Sequence, residues 1–333
     1  MTRKATGTID MHCDTLMHAY FHHGADADIG TMPEAMVDLR RLREGGAMAQ
    51  FFAIYIPSAD GETVRRGETL VLAEDYVRDC AGILDRALQA HGGDIARALS
   101  AGDIRRSWSQ DRCGALLTVE DGALVRGDLG RLDWLYGLGV RALGLTWNYP
   151  NCFGAPNSPD PAVMSAGLTP FGREAVAYMQ DLGMLVDVSH LSDGGFWDVA
   201  ALAKRPFAAT HSNCRALSPH TRNLTDEMIR ALADRGGVMG LNFCPEFLSP
   251  DAAGDRSEVE RLVAMARHEK QVGGIGVIAV GSDFDGIEGD LEIPHAGRMP
   301  LLAEALSRGG FTDDEIDQIL FGNVLRVLQD TIG

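Results

Sequence analysis

Histidine and acidic residues in this sequence follow short apolar runs, at the points where buried strands are expected to end. His12 and Asp14 come first, directly after a run that begins near residue 8. Residues two positions apart on an extended segment point to the same side, so these two side chains would face one ion together. A histidine nitrogen and a carboxylate oxygen suit zinc or a similar divalent metal. Taken alone, the pair is also typical of an ordinary hydrogen-bonded turn.

Four other apolar runs, which begin near residues 114, 185, 206 and 275, end in the same kind of residue. The side chains that follow them are Glu120, His190, His211 and Asp283. In a closed barrel of parallel strands the carboxyl ends meet at one mouth. We therefore expect all of these side chains to converge on a single site.

Six ligand-type side chains are more than one zinc ion takes, since zinc usually binds three or four protein ligands. The sequence therefore predicts two metal ions, which need a bridging group. Some barrel hydrolases use a carbamylated lysine as this bridge, but lysine occurs here only at positions 4, 204 and 270, away from every predicted strand end. Glu120 is the predicted bridge because its two oxygens can each bind one ion. The flanking ligands would be His12 and Asp14 for one ion, and His190 and His211 for the other.

The elements that must position these residues alternate along the chain. Apolar, β-branched runs alternate with longer stretches of helical period, which is typical of a parallel sheet with crossover helices. The strands are predicted near 8–14, 48–56, 114–120, 140–147, 184–190, 206–211, 237–243 and 275–283. The helices are predicted near 34–44, 67–90, 128–138, 170–182, 193–203, 225–235, 256–272, 299–308 and 312–330. Eight strand–helix units predict an α/β fold, a (β/α)8 TIM barrel of the metal-dependent hydrolase type.

The chain has 333 residues and no Pro/Gly/Ser-rich linker, so we expect residues 1–333 to form a single barrel domain. Two connections are long for such a barrel, at about 148–168 and 244–255. Both follow the carboxyl end of a predicted strand, the face on which barrel enzymes place their chemistry. We expect both connections to act as lids over the site.

Composition and charge exclude several classes of protein. With 45% hydrophobic and 23% charged residues, the chain can build a large core and is not intrinsically disordered. Its formal net charge of −17 repels phosphate backbones and anionic membranes, so we expect neither nucleic acid nor membrane partners. We find neither an apolar run of membrane-spanning length nor a secretory signal, and the six cysteines show no Cys-x-x-Cys pair. A cytoplasmic location with reduced thiols is expected.

Three further groups of residues each have two possible interpretations. Asp187, on the fifth predicted strand, could support a metal ligand or be a hydrogen-bonded polar group of the barrel. Asp285 could orient a ligand histidine or belong to a plain Asp-Gly turn. His22 and His23 are expected in a polar surface loop, with an accessory metal role as the alternative.

Seven stretches of the chain match the pattern of one known family, in the same order. They are Asp10–Thr15, Val119–Gly122, Val186–Leu191, Thr210–Asn213, Thr221–Leu224, Gly281–Gly286 and Gly322–Val327. Together they resemble the membrane (renal) dipeptidases, zinc peptidases with a (β/α)8 fold that include many soluble bacterial members. The Ser-Asp-Phe-Asp-Gly and Asp-Val-Ser-His pieces are the most specific parts of this resemblance.

The resemblance implies a role for each matching residue. The implied zinc ligands are His12, Asp14, Glu120, His190 and His211. Asp283 would handle protons beside the catalytic Glu120, and Arg222 would bind the C-terminal carboxylate of the substrate. The resemblance also suggests a homodimer, tolerance of a D-residue at the C-terminal position and, as in some members, opening of the β-lactam ring of carbapenems.

The sequence departs from the mammalian pattern of this family at two substrate contacts. After the fourth strand, that pattern has a histidine that helps to bind the scissile carbonyl, whereas this chain has Trp147 followed by Asn148. Cys244 stands where the mammalian pattern has tyrosine. Because neither change affects a metal ligand, we expect the reaction class to be retained and Trp147 and Asn148 to contact substrate.

These inferences predict a dipeptidase with two Zn²⁺ or similar divalent ions per chain and small dipeptides as substrates. An acidified water would attack the peptide carbonyl, and Asp283 would pass a proton to the departing amine. The missing histidine keeps open a related amidohydrolase-type enzyme that acts on an N-acyl amino acid, a cyclic amide or a lactone. The complete ligand set argues against a third possibility, a barrel that binds a peptide or metal without turnover.

Overall fold

A computed structural model of the chain describes residues 7–249 and 256–333. Its main sheet contains eight parallel strands, which we number β1 to β8. They are β1 (Thr8–Asp10), β2 (Ala47–Tyr55), β3 (Cys113–Glu120), β4 (Val140–Gly144), β5 (Leu185–Asp187), β6 (Ala208–Ala209), β7 (Val238–Leu241) and β8 (Ile278–Val280). Each overlaps a predicted strand, and all but β2 and β3 are shorter than predicted.

Parallel pairing closes these strands into a barrel. Neighbours follow the chain order from β3 to β8, β1 lies between β8 and β2, and β2 pairs with β3. The pairing of β2 with β3 is the longest and ends with Tyr55 opposite Glu120. The predicted (β/α)8 barrel is therefore confirmed. A short extra strand, Ile95–Arg97, pairs with the start of β3.

Helices surround the barrel. The α-helices are Thr15–His23, Leu39–Glu44, Ala73–Ala90, Ala101–Ser109, Leu129–Gly137, Pro161–Met164, Pro170–Leu182, Asp193–Leu202, Asp226–Asp234, Pro245–Leu248, Val259–Gly273, Pro300–Arg308, Asp313–Asp317 and Asn323–Thr331, with a π-helical turn at Gln318–Gly322. Local sequence explains several of their ends. Before Pro170–Leu182, the side chain of Thr169 accepts a hydrogen bond from the backbone N–H of Gly172, and Gly183 ends the helix with a φ of 77°. Within residues 7–249 and 256–333, no helix is both long and apolar enough to cross a membrane.

Two clusters of buried apolar residues lie on opposite sides of the sheet. The outer cluster packs the strands against the helices. The inner cluster includes Ile9, Phe51 and Leu116, together with apolar residues of Asn323–Thr331, the helix that packs against it from the C-terminal part of the chain. Since alternate residues of a strand face the same side, Glu120 lies on the same face of β3 as Leu116. The chain thus directs the Glu120 carboxylate to the inside of the barrel.

Three features differ from the sequence predictions. Residues 67–72 do not begin a helix, because Thr63–Arg66 and Thr69–Leu72 form an antiparallel hairpin that turns at Gly67. The unpredicted helix Thr15–His23 ends at His22 and His23, which are exposed and are not in a loop. The Ala101–Ser109 helix was also not predicted.

The two long connections lie at the carboxyl ends of their strands. The first follows β4 and contains only the four-residue helix Pro161–Met164. The second, predicted at 244–255, begins with the helix Pro245–Leu248, and its residues 250–255 lie outside the described part of the chain. Beyond it, Arg256–Ser257 pairs with Asp290–Leu291, so this connection is joined to the loop that follows β8.

Candidate active site

Glu120 lies at the centre of a buried cluster at the carboxyl end of the barrel. Its Oε2 atom lies 3.5 Å from Nε2 of His12, whose Nε2 is also 3.5 Å from Oδ2 of Asp14. Its Oε1 atom lies 3.0 Å from Nε2 of His190 and 3.5 Å from Nε2 of His211. The two oxygens of one carboxylate therefore face two different groups of ligand-type side chains. These groups are the pair His12 and Asp14 and the pair His190 and His211, as the sequence predicted.

Asp283 lies beside this cluster. Its Oδ1 atom is 3.8 Å from Nε2 of His12, and its Oδ2 atom accepts a hydrogen bond of 2.9 Å from the side-chain amide of Asn242. One oxygen is thus held by the barrel, while the other faces the centre. Asp283 could also complete a three-residue metal-binding group with His12 and His211.

A hydrogen-bonded chain orients His211 from behind. The hydroxyl of Thr210 donates to Oδ2 of Asp187 at 2.5 Å, and the same hydroxyl oxygen lies 2.8 Å from Nδ1 of His211. With its proton committed to Asp187, the hydroxyl oxygen accepts the Nδ1 proton of His211. This tautomer leaves the Nε2 lone pair facing the centre, which is the arrangement that a metal ligand needs. Of the two interpretations of Asp187, the geometry supports the one in which it assists a ligand.

Asp285 has a different role from the suggested orientation of a histidine. It accepts hydrogen bonds from the hydroxyl of Thr15 at 2.6 Å and from the backbone N–H of Met36 at 2.5 Å. The backbone N–H of Asp14 also donates to the carbonyl of Phe284 at 2.9 Å. These bonds connect the loop after β8 to the segment after β1. They therefore fix the positions of Asp283 and Asp14 relative to each other.

Backbone strain is concentrated at the site. His190 has a φ of 65° and Asp283 a φ of 66°, in the left-handed region that residues with a Cβ rarely adopt. Asp121 and Asp285, each next to or near a site residue, also have positive φ values. Such strain persists only where the surrounding structure imposes it, and it is typical of functional sites.

The buried acids and bases of the centre shift one another's pKa values. Burial disfavours the charged form of His12, but the charge of Glu120 and the contacts with Asp14 outweigh burial and raise the His12 pKa well above its ordinary value. Burial also acts to raise the pKa of Glu120, yet His12, His190 and His211 hold that pKa well below its ordinary value. Burial, followed by the charge of Glu120, raises the pKa of Asp14 to about 7. Glu120 is thus kept as a carboxylate, the form in which it can bind a cation.

The donor set fits divalent metal ions. The three ligand groups at the centre combine imidazole nitrogens with carboxylate oxygens, which is the chemistry that zinc and similar ions prefer. Within the described residues, the buried atoms His12 Nε2 and Asp14 Oδ1 have no hydrogen-bond partner. Buried polar atoms normally have one, so unpartnered atoms beside a cluster of ligands are consistent with a site built for a cation.

A cavity of about 730 Å³ opens above the cluster. Glu120, His190 and Asp283 reach its floor, and Trp147, Asn148 and Arg222 also line it, so the structure brings these predicted site residues together. Arg222 is 5% exposed; its two terminal nitrogens donate to the hydroxyl of Ser212 and the carbonyl of His211, while its Nε atom has no partner among the described residues. Arg222 therefore lines the cavity with a buried guanidinium whose Nε donor has no partner among the described residues.

Sequence analysis missed other residues of the cavity wall. Tyr55 packs against Trp147 with ring centroids 4.8 Å apart, and Trp147 lies 6.1 Å from the ring of His190. His220 and Phe247 also line the cavity, beside Arg222. Tyr55 could have been found, because it is the last residue of β2 and therefore lies at the mouth of the barrel. His220 lies in an irregular segment and Phe247 in the short helix Pro245–Leu248, and neither carries a comparable signal.

Comparison with known proteins supports the family resemblance over the full length of the chain. The model of the membrane dipeptidase family, peptidase family M19, matches residues 2–332. The chain belongs to this family. It is a metallo-dipeptidase, a hydrolase of peptide bonds, and membership implies a divalent metal.

The chain is also similar to individual relatives and solved structures. The chain is 38% identical over 258 residues to the uncharacterised protein in the pqqA 5′ region of Klebsiella pneumoniae, covering 74% of this chain and 93% of the relative. The crystal structure of dipeptidase AC, an M19 metallopeptidase, superposes with a TM-score of 0.88 at 28% identity and covers 99% of this chain and 100% of its own. A metallopeptidase from Rhodobacter sphaeroides, bound to a phosphinate mimic of the dipeptide L-Ala-D-Ala, gives a TM-score of 0.87 at 27% identity and covers 98% and 100% of the two chains.

Proposed function

We propose that this M19 dipeptidase is a binuclear zinc enzyme that cleaves dipeptides with a free C-terminal carboxylate. The observation that carries the proposal is the position of Glu120, whose two oxygens face two separate groups of ligands at 3.0 to 3.5 Å. A single carboxylate between two such groups can bridge two ions. One ion would be held by His12, Asp14 and Glu120, and the other by Glu120, His190 and His211.

The side chains around the centre would have different roles in the reaction. Divalent ions bound there would supply an acidified water and polarise the scissile carbonyl. Asp283 would accept a proton at Oδ1 and deliver it to the departing amine, because its Oδ2 is already engaged by Asn242. Trp147 and Tyr55 would shield one side of the cavity from water and contact the apolar parts of the substrate.

Recognition of the substrate carboxylate would fall to Arg222. A guanidinium binds a carboxylate through two parallel N–H groups; Arg222 lines the cavity, and its Nε donor has no partner among the described residues. A required free carboxylate restricts a site of this size to short peptides. The Rhodobacter sphaeroides neighbour is bound to a mimic of L-Ala-D-Ala, so we extend a tolerance of D-residues at the C-terminal position to this chain.

We also propose that the enzyme is a cytoplasmic homodimer. All six cysteines are free thiols, which fits a reducing compartment, and the dimer rests on the family resemblance alone. Cell fractionation would test the location. Light scattering on the purified protein would test the dimer, and the mass of one chain would contradict it.

Metal content and a substrate panel together test the catalytic proposal. Protein purified without chelator should contain about two divalent ions per chain, and His190→Ala should remove about one of them. The panel should compare L-Ala-L-Ala and L-Ala-D-Ala with their C-terminal amides, N-acyl amino acids and lactones. One tightly bound ion that His190→Ala leaves untouched would contradict the binuclear centre. Turnover of N-acyl amino acids or lactones but not dipeptides would favour the amidohydrolase-type alternative.

A further inference from the structure

His220 lies beside Arg222 at the cavity, in a position that the proposed mechanism does not use. Both side chains pack on the ring of Phe247: the His220 ring centroid is 4.7 Å away and the Arg222 guanidinium carbon 5.4 Å away. Both also line the cavity. A group that binds to the guanidinium from the cavity would therefore also lie next to the imidazole.

The structure determines which nitrogen of His220 carries the proton. The backbone N–H of Arg222 donates to Nδ1 of His220 at 3.1 Å, so Nδ1 is an acceptor and holds no proton. In a neutral imidazole the proton must then be on Nε2. Burial, with a further contribution from the charge of Arg222, lowers the pKa of His220, and the neutral form is favoured near pH 7. His220 thus offers one N–H donor at Nε2.

This donor has only a weak partner in the structure. Oε1 of Glu246 lies 3.4 Å from Nε2 of His220, and the side chain of Glu246 is 61% exposed. Because this contact is long and the Glu246 carboxylate is well solvated, a substrate group can displace Glu246 at little cost. Cys244 also lines the cavity, but its thiol is only a weak hydrogen-bond donor.

We propose that His220 is a second specificity-determining contact for the C-terminal carboxylate of the substrate, donating its Nε2 proton to one carboxylate oxygen while Arg222 binds the other. The inference rests on the proposed function, because it assumes that the carboxylate binds at Arg222. It explains why the imidazole faces the cavity, and it predicts that recognition of the carboxylate needs both residues.

Two substitutions at this position separate the donor from its structural role. His220→Asn places an amide oxygen near the Nδ1 position and can still accept the Arg222 N–H, but it has no donor at the Nε2 position. His220→Gln can place an amide N–H near the Nε2 position and loses the acceptor. Loss of a hydrogen bond to a charged group should raise the KM for L-Ala-D-Ala about tenfold or more in His220→Asn, with kcat nearly unchanged. His220→Gln should keep a KM closer to that of the wild type.

The amide of the dipeptide and two further variants complete the test. His220→Asn should have little effect on the residual turnover of L-Ala-D-Ala amide, and His91→Asn, at a surface histidine paired with Asp28, should leave the KM unchanged. Glu246→Gln should lower the KM, because it removes a competing carboxylate. Equal losses in His220→Asn and His220→Gln, equal losses on acid and amide, or a higher KM in Glu246→Gln would overturn the role of His220.

Other results would contradict the proposed function itself, and they can be distinguished from those that contradict only the role of His220. A wild type that does not cleave dipeptides, or an Arg222→Lys variant with the KM of the wild type, would remove both proposals at once. A wild type that cleaves dipeptides and an Arg222→Lys variant with a raised KM, together with an unaffected His220→Asn variant, would overturn only the inference about His220.

Discussion

Asp283 has the features expected of a proton carrier at the scale of a single side chain. It is 8% exposed, its Oδ2 is fixed by Asn242, and its backbone is held in the left-handed region with a φ of 66°. The bond from Asn242 to Oδ2 leaves Oδ1 facing His12 at 3.8 Å. The surrounding bonds of Asp285 to the loop after β1 hold this conformation in place.

We expect Asp283→Asn to slow turnover while the protein remains folded. Asparagine keeps the shape and can still accept the hydrogen bond from Asn242, but it cannot carry the proton. Loss of general acid–base help should lower kcat by about 10² to 10⁴-fold. Steady-state kinetics combined with metal analysis would check this, and a variant with near-wild-type kcat and unchanged metal would contradict the role. A lower metal content would instead identify Asp283 as a ligand.

Trp147 occupies the position at which the mammalian pattern of the family has histidine, and its ring centroid lies 4.8 Å from that of Tyr55 and 6.1 Å from that of His190. We expect Trp147→His to change the side-chain preference of the enzyme, because it removes an apolar wall, without a large gain in kcat. Kinetics on dipeptides with aliphatic, aromatic and polar side chains would measure this. A gain in kcat above about tenfold, or about 1.4 kcal/mol of transition-state stabilisation, would show that the site lacks a carbonyl-binding group it could use. Such a result would favour a different natural substrate.

Two glycines allow close approach to the backbone next to the ligand-type residue His211. A Cβ on Gly240 would lie 2.0 Å from the carbonyl oxygen of Thr210, and a Cβ on Gly281 would lie 1.8 Å from the same atom. Gly281 follows β8 and has no positive φ, so only space requires a glycine there. Thr210 precedes His211, and the close packing of these elements therefore fixes the position of a predicted ligand.

We expect Gly281→Ala to destabilise the fold and to weaken metal binding at His211. Overpacking of this kind costs about 1 to 3 kcal/mol of unfolding free energy. Denaturant unfolding and metal analysis would measure both effects. Gly276→Ala is the matched control, since a Cβ there meets nothing within 4 Å, and it should leave both quantities near wild type. Equal behaviour of the two variants would contradict the argument.

The sequence predicted the elements better than their ends. Buried parallel strands are continuous apolar runs, so all eight could be recognised, but β5 ends at Asp187 and not at 190 because the chain turns early to place His190 in the left-handed region. The prediction of a helix that begins at residue 67 is wrong over 67–72, where the chain forms the turn and second strand of a hairpin, although Gly67 is typical of a turn between two strands. The cavity wall depends on tertiary packing, so neither His220 nor Phe247 could be predicted.

At the scale of the whole molecule, a fully buried carboxyl group lies outside the group of predicted metal ligands. Glu269 lies on the helix Val259–Gly273 and is 0% exposed. Its Oε1 accepts a hydrogen bond from the thiol of Cys214 at 3.6 Å, and its Oε2 has no partner within the described residues. Burial raises the pKa of Glu269 well above its ordinary value of 4.5, and only the Cys214 thiol opposes this shift. The folded protein therefore holds Glu269 as a neutral acid.

This burial links the stability of the whole chain to pH. The pKa of Glu269 is higher in the folded protein than in the unfolded chain. As pH rises, the unfolded chain therefore releases the Glu269 proton first, and the free energy of unfolding falls. The effect is absent below pH 4.5, grows by about 1.4 kcal/mol per pH unit above it, and stops at the folded pKa. Glutamine resembles the neutral acid in shape and does not titrate. We therefore expect Glu269→Gln to be more stable than the wild type at pH 7 to 8 and equally stable near pH 4.

Denaturant unfolding of both proteins across this range, each with its metal retained, would measure the difference in the free energy of unfolding. Other groups titrate identically in the two proteins, so the repulsion that comes with a net charge of −17 cancels in the comparison. Glu292→Gln is a matched control, because Glu292 is exposed and accepts from the backbone N–H of Val259 at the start of the same helix. Its difference from the wild type should not grow with pH in this way. A Glu269→Gln difference that stays constant from pH 4 to 8 would show that Glu269 is ionised in the folded protein and that its unpartnered oxygen is stabilised in some other way.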